Sequence, residues 1–439
     1  MWHYHPQLLA VPVPRYTSFP TAAEFHDAVG PEDMQAAIAA TPPDVPVSLY
    51  LHVPYCQQLC WYCGCNTGVA NRALRLAAYM KRLGGEIDLV AERLGTRRIS
   101  RLAWGGGSPN ALTTDQFDAA MARLRARFDL SETAISVEVD PRGFDWDWAS
   151  TIARNRVSRV SLGVQTLAPH IQAAIGRVQP LDRIACTVAK LRTAGVTSLN
   201  FDLMYGLPQQ SYADLEDTLL AAIAMAPDRL AVFGYAHVPH LIPRQRQIDD
   251  SALPHAEARF RQAELAHQVL TGAGYAAIGF DHFARPHDAM ATAAQTGTLK
   301  RNFQGFTEDP AEVLIGLGAS AISAFPGWLL QNEKNSGRYH LRIGQGQFAT
   351  ARGLRRSAAD RAYGRAIEQL LCRGYTDLAG LPALADIVAR LAPFEAAGVA
   401  TRTGTMLAVA PDGVPYARAI AATIDPYRAQ STTRFSSAV

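Results

Sequence analysis

Short runs of β-branched and apolar residues alternate along this chain with longer stretches whose apolar positions step by three and four. The runs fall at 47–53, 101–105, 135–140, 159–164, 198–204, 230–235 and 276–281. Between the first two, Leu76, Met80, Leu83, Ile87, Val90 and Leu94 share one helical face, although Gly84 and Gly85 interrupt it at a cost in propensity. Helical patterns recur at 114–128, 169–175, 181–194, 213–225 and 256–273. Strand and helix alternating in this order predict an α/β fold of parallel βαβ units. A full or partial barrel suits the pattern better than a doubly wound sheet, because polar residues and glycines gather at the ends of successive strands.

The same pattern divides the chain. Proline-rich 41–46 sets off an N-terminal arm (1–45) from a core barrel (46–286). After Pro286 the alternation fades, and 287–350 reads as a loop-rich connecting segment over the active site. Residues 351–439 read as a mostly helical C-terminal domain, with 406–409, a turn at Pro411-Asp-Gly413 and a final helix closing it.

Composition excludes more than it assigns. With 42 Lys and Arg against 39 Asp and Glu in 439 residues, no electrostatic footprint for nucleic acid is present. No run approaches the roughly 18 apolar residues of a membrane span. Met1-Trp-His-Tyr-His-Pro6 has no basic segment leading into an apolar one, so no signal peptide is expected. The expectation is a cytoplasmic protein in a reducing compartment.

Four of the six cysteines, Cys56, Cys60, Cys63 and Cys65, fall within ten residues. Thiolates spaced C-x3-C-x2-C can hold three irons of a [4Fe–4S] cube and leave the fourth open, whereas most electron carriers close the shell with four cysteines. An open iron must bind something else, so the motif points to chemistry at the cluster. A structural zinc site would show two separated pairs, and Cys186 and Cys372 stand alone. A disulfide is disfavoured in a long chain without a secretion signal. Cys65 is the ambiguous member, expected to point away from the cluster.

Chemistry collects at the other strand ends. Gly105-Gly-Gly-Ser-Pro109 would let a ligand touch bare backbone, with a tight turn as the plainer reading. Glu138 shares a strand face with Ser136 and Asp140, and an acid on an inward barrel face needs a partner. Gln165, Asp202 and Tyr205 hold equivalent strand-end positions, and Arg177 follows in the next loop. Each alone could be a satisfied barrel polar residue.

C-x3-C-x2-C after the first strand, with GGGSP after the second, resembles the radical S-adenosylmethionine (SAM) enzymes. Within them, Pro14-Arg-Tyr-Thr-Ser-Phe-Pro-Thr21, Cys65, Glu138-Val-Asp-Pro-Arg142, Gly163-Val-Gln165, Asn200-Phe-Asp-Leu-Met-Tyr-Gly-Leu-Pro208, Tyr235-Ala-His237, Gly279-Phe-Asp-His-Phe-Ala-Arg-Pro286 and Arg301-Asn-Phe-Gln-Gly305 resemble the oxygen-independent coproporphyrinogen III oxidases, or coproporphyrinogen dehydrogenases. The resemblance runs from about residue 14 to the C-terminus. It implies a partial (β/α)6 barrel with an N-terminal arm and a helical C-terminal domain over the mouth.

It also implies site residues. Cys56, Cys60 and Cys63 would ligate the cluster, whose open iron would hold the amino and carboxylate groups of SAM. Tyr50, Gly106, Glu138 and Ile322 match positions around that SAM. A second SAM would meet Tyr62, Gly107, Ser108, Gln165, Arg177, Asp202 and Ala236. Phe303 and Gln304 fall in the family's active-site motif. Ser108 replaces the usual threonine, Gly176-Arg-Val-Gln179 replaces Asn-Arg-x-Gln, and His240-Leu-Ile-Pro-Arg244 departs from the pattern.

The implied reaction is oxidative decarboxylation of two propionates of coproporphyrinogen III to vinyls, giving protoporphyrinogen IX. An adenosyl radical would take a hydrogen from the propionate β-carbon, after which CO2 and one electron leave. A flavodoxin or ferredoxin is the expected donor, the acceptor is unidentified, and a monomer is expected. Four substrate carboxylates call for arginines near the mouth, with Arg177, Arg285 and Arg301 as candidates. Two rival functions share the cluster motif: a haem chaperone and a haem-degrading radical SAM methyltransferase. Cys65, the 14–21 arm and Asn302-Phe-Gln304 favour the oxidase.

Overall fold

Each core strand is apolar on one side and polar on the other. In β1 (Val47–Val53), Val47, Leu49, Leu51 and Val53 are wholly buried, whereas Tyr50 and His52 are only partly so. The division recurs in β2 (Ile99–Gly106), β3 (Ala134–Val139), β4 (Arg159–Gln165), β5 (Ser198–Tyr205) and β6 (Arg229–Gly234). Ile135, Val137 and Val139 of β3 pack outward into the core, while Ser136 and Glu138 face the other way. Since side chains alternate along a strand, such strands put an apolar surface under the helices and a polar surface around a shared interior.

The computed structural model describes residues 1–70 and 73–430. β1 to β6 pair in sequence order, each parallel to the next. Helices cover the crossovers: Ala73–Leu94, Thr114–Arg127, Trp146–Arg154, Leu181–Thr193, Tyr212–Ala224 and Ala256–Gly272. Leu76, Leu83, Ile87, Val90 and Leu94 bury the first helix as the sequence pattern predicts, whereas Met80 lies only partly covered. Six βα units therefore form a partial barrel, whose sheet continues at both edges without closing.

Three expectations are corrected. The run 276–281 is not one strand: Gly279, at φ +60°, turns it into an antiparallel pair, Ala276–Ile278 and His282–Ala284, lying against β6. The Phe306 ring occupies the space a side chain at 279 would need. Second, Trp146–Arg154 is a helix that periodicity did not reveal. It is short, its buried apolar residues are Trp148, Ala149 and Ile152, and the Asp145 side chain caps it by accepting from Trp148 N (2.9 Å).

Third, 287–350 is not loop-rich. It holds helices Ala289–Gln295 and Ser336–Gly344 and a hairpin of Lys300–Asn302 with Gly305–Thr307. Strands Val313–Leu317, Ile322–Phe325 and Trp328–Asn332 extend the main sheet, the first parallel to β1. These strands are short and carry no alternating pattern, which hid them. The C-terminal region joins helices Ala358–Arg373, Leu384–Ala396 and Ala417–Ile424 to a three-stranded sheet. Tyr16 of the arm binds Asp425 (3.1 Å), and Tyr416 binds the His3 carbonyl and the His5 amide, so arm and C-terminal region lie against each other.

Candidate active site

The cysteines leave β1 on a loop that the glycine run holds in place. Gly107 N donates to Val53 O and Ser108 N to Tyr55 O, both at 2.8 Å. A Cβ at Gly107 would sit 2.5 Å from the Tyr55 carbonyl, and one at Gly105 the same distance from the Glu138 carboxylate. Gly106 adopts φ +110° against the His52 ring. The three glycines thus serve close approach between the chain's own segments, which the ligand-access reading of the sequence did not anticipate. Gly107→Ala is expected to cost on the order of 1–3 kcal/mol, as overpacking does. A lower unfolding temperature together with poorer iron retention would show it.

All four loop cysteines are free thiols. Cys60 is buried, Cys56 and Cys63 are half-buried, and Cys65 is exposed. Arg142 and Arg177 each direct a guanidinium at Cys60 Sγ, at 3.3 and 3.2 Å. Burial, then Cys63 and Cys60, push the Cys56 thiol up to about 12, whereas a hydrogen bond from Cys65 leads the causes that bring Cys63 down to about 6. Among the described residues, no three His, Cys, Asp or Glu side chains could hold a single metal ion; a cube binds its cysteines one per iron and needs no such convergence. Cationic donors on a cysteine sulfur stabilise bound thiolate, so this loop fits an iron–sulfur cluster.

Glu138 is buried on the inner face of β3, where its Oε2 accepts from Gly106 N at 3.1 Å. Burial first, then Asp202, raises it to about 7. A desolvated acid that accepts from one backbone amide among the described residues, beside a cavity, suits a ligand's ammonium or hydroxyl groups. Tyr50 bonds His52 Nδ1 through its hydroxyl (3.1 Å), and burial, then Glu138, hold that phenol protonated. Burial pulls His52 down to about 4, so its ring is neutral.

Below Glu138 lies a cavity of about 340 Å³ inside the barrel, lined among others by Asp202, Phe233, His282, Gln304 and Phe306. Gln304 thus shares the cavity with Glu138. Phe303 and Ile322 instead pack together against Phe25, Leu329 and Leu354 beside it. Asp202 is raised by burial and satisfied by Ser161 (2.7 Å) and Asn200 (2.8 Å).

Several of the remaining expected ligands already have protein partners. Arg177 spans Cys60, Gly163 O and Asp140. Burial pushes Asp140 up, but Arg177 and Arg142 outweigh it and hold that carboxyl below its usual range. Ser108 is buried against Asn110 and accepts from Asp140 N (3.2 Å). Gln245 ties the carbonyls of Tyr62 and Ala236 together. Gln165 is buried at φ +67° where β4 slips register against β5. Tyr205 lies on the opposite strand face from Asp202, against Gly234.

Of the candidate arginines, Arg285 is misplaced. The reversal at Gly279 carries it to the start of β6, where it stacks on Tyr275 (4.2 Å). Arg301 lies at the other end, over Phe306 (4.1 Å). The sequence reading also missed the cavity floor, where Glu308 receives Arg101, Arg159 and Arg229. Burial acts against its charge, but the three guanidinium groups hold it well below the carboxylate range. Alternation within their own strands was the available signal: Arg101 stands two residues from Ala103, Arg159 two from Ser161 and Arg229 four from Phe233, all of which line the cavity.

Residues 50–222 match the radical SAM superfamily model. The chain is 42% identical to the oxygen-independent coproporphyrinogen III oxidase of Bradyrhizobium diazoefficiens, over 94% of each chain. It is 43% identical to that of Paracoccus denitrificans, over 82% of this chain and 80% of the other. The Escherichia coli coproporphyrinogen III oxidase structure, described as a radical SAM enzyme, superposes with a TM-score of 0.90 at 34% identity, covering 97% of this chain and 99% of that one.

Proposed function

The chain belongs to the oxygen-independent coproporphyrinogen III oxidases of the radical SAM superfamily, and on that premise we propose how its own residues divide the work. The enzyme converts two propionates of coproporphyrinogen III to vinyls, giving protoporphyrinogen IX. When bound, the cluster and SAM supply a hydrogen-abstracting radical in a one-electron step. The observation that carries the reading is the juxtaposition of a free three-cysteine loop, Gly106 and the buried Glu138 above a cavity.

Cys56, Cys60 and Cys63 hold three irons, while Arg142 and Arg177 donate to Cys60 and favour its thiolate. Glu138 accepts from the ammonium or hydroxyl groups of the cluster-bound SAM, in the cradle set by Gly106 and Tyr50, with Ile322 alongside. Tyr62, Gly107, Ser108, Gln165, Arg177, Asp202 and Ala236 form the wall next to that site, and contact a second SAM where one binds. Phe303 and Gln304 present the hairpin to the substrate, Gln304 from inside the cavity. The neutral His52 and the protonated Tyr50 put no charge next to the reacting centre.

The remaining electron from each round leaves for a separate acceptor, and a reduced flavodoxin or ferredoxin delivers the incoming one. We place the protein in the cytoplasm as a monomer. No helix among the described residues is long and apolar enough to cross a membrane.

An anaerobic incubation with SAM, reductant and coproporphyrinogen III tests the reading. Each propionate consumes one SAM, so two 5′-deoxyadenosines should form per protoporphyrinogen IX. A tricarboxylic intermediate should appear transiently, and deuterium at the propionate β-carbons should enter 5′-deoxyadenosine. Intact substrate beside tightly bound haem would establish a chaperone instead, and transfer of the SAM methyl group a methyltransferase.

A further inference from the structure

Within Gly279-Phe-Asp-His-Phe-Ala-Arg-Pro286, Asp281 and His282 form a pair that has no part in the cluster or SAM sites. His282 Nδ1 lies 2.7 Å from Asp281 Oδ1. Burial pushes the Asp281 carboxyl up, but His282, then Arg301 and Arg15, outweigh it and hold it below its usual range. An ionised carboxylate only accepts, so the proton in this bond belongs to Nδ1. That bond fixes the tautomer and leaves Nε2 as the acceptor of the ring.

The ring is also held in place. Phe233 and Phe306 meet it edge to face, with centroids at 5.5 Å and 5.2 Å and planes at 78° and 84°. All three rings line the cavity that contains Glu138 and Gln304. Among the described residues, Nε2 takes no hydrogen bond. Its edge of the ring faces Gly305, at φ +118°, where a Cβ would stand 3.4 Å from Nε2. Glycine at that turn leaves the edge uncovered.

An acceptor at this position selects the part of the substrate that it meets. The carboxylates of coproporphyrinogen III accept hydrogen bonds, and its pyrrole N–H groups are its donors. The propionate β-carbon that loses hydrogen is bonded to the pyrrole ring itself, on the edge opposite the nitrogen. His282 lies against β6 and Glu138 on β3, on separate walls of the cavity. A pyrrole whose N–H points at Nε2 therefore turns its β-carbon towards the Glu138 side.

We propose that His282, held by Asp281, accepts a hydrogen bond from the pyrrole N–H of the ring being decarboxylated, and so fixes the reacting β-carbon. His282 is then a substrate-binding residue and Asp281 a positioning residue. This rests on the oxidase reading above.

The test is anaerobic turnover of the reduced holoenzyme, comparing His282→Leu, His282→Gln and His282→Lys on protein whose iron content and unfolding temperature match the wild type. Leaving a buried pyrrole N–H unpaired should raise KM for coproporphyrinogen III about tenfold in His282→Leu. A β-carbon held less firmly should also let the radical be spent unproductively, giving more 5′-deoxyadenosine per protoporphyrinogen IX than the wild type. Gln carries an accepting amide oxygen and should recover part of both losses, whereas Lys only donates and should not. Asp281→Asn keeps the shape and removes the charge that fixes the tautomer, so KM should rise in the same direction. Combined with His282→Leu it should add nothing, because the two residues act as one unit. SAM affinity without substrate should stay at the wild-type value throughout. Wild-type KM and product ratio in His282→Leu, recovery by Lys rather than Gln (the mark of a carboxylate contact), or lost SAM affinity overturns the proposal. A wild-type enzyme that leaves coproporphyrinogen unconverted overturns the oxidase reading itself, and the two failures are separate observations.

Discussion

Cys56→Ser, Cys60→Ser and Cys63→Ser should each purify without a stable cluster after anaerobic reconstitution, with iron and sulfide near background and no SAM cleavage. On the proposed ligand set, three thiolates would leave one iron open, and two would not retain the cube. Cys60 should be the most sensitive, since Arg142 and Arg177 both direct guanidinium groups at its sulfur. Removing the thiolate leaves those cations facing a neutral hydroxyl, which adds a desolvation cost to the lost ligand. Cys65→Ser should behave differently. Cys65 is exposed, and its backbone amide points to Cys63 Sγ at 3.4 Å. Most of its iron should survive, with a shifted cluster spectrum where the Cys63 hydrogen bond is altered. Loss of the cluster in Cys65→Ser with retention in Cys63→Ser would reverse the ligand assignment.

The barrel was legible because the same period of two both buries each strand and aims its polar residues. Val137 and Val139 fix the outward face of β3, so Glu138 must face the interior. The cysteine loop was legible for a similar reason, as its four thiols are local in sequence. What escaped depended on contacts between distant segments. The glycines at 105–107 are explained by Glu138, His52 and Tyr55, which no local pattern connects to them. Arg285 and Arg301 looked equivalent as charged residues in family motifs. A reversal at Gly279, where the Phe306 ring leaves no room for a side chain, brings Arg285 to the start of β6 against Tyr275, while Arg301 lies over Phe306. Arg15 and Arg418 are some 400 residues apart, and only the fold brings them to Phe233 and Phe280.

Those distant contacts also explain why the site is held from several sides. Glu86, buried on the first helix, accepts from Gly318 N (2.6 Å), Asn332 Nδ2 (2.7 Å) and the Tyr339 hydroxyl (2.7 Å). Tyr79, on that same helix, donates to the His52 carbonyl at 2.6 Å and accepts from Ala319 N at 3.1 Å. The turn leading to Ile322 and the strand carrying Tyr50 and His52 are thereby fixed to one helix. Segments that the alternation pattern set apart, 46–286 and 287–350, meet at this network.

Glu138→Ala should keep its cluster and lose SAM cleavage. Its carboxylate is a buried acceptor above the cavity, and losing a charged partner of a hydrogen bond costs on the order of 1.5–3 kcal/mol, or roughly tenfold or more in affinity. Glu138→Gln separates charge from shape. Its amide oxygen can still accept from Gly106 N, so the loop geometry persists while the negative charge is gone. The acid dependence provides the sharper signature. Burial and Asp202 raise Glu138 to about 7 in the free protein, so it gains a proton as pH falls through that value. A ligand ammonium that requires the carboxylate must then displace the proton, and linkage makes SAM binding about tenfold weaker at pH 6 than well above pH 7. The raised acid also favours its neutral form, so its contribution to stability declines as pH rises from the ordinary carboxylate range to about 7. Glu138→Gln should bind weakly at every pH, with no such slope. Equilibrium binding of SAM to the reconstituted, oxidised protein from pH 6 to 8.5 measures both, and a slope unchanged by the substitution would remove Glu138 from the site.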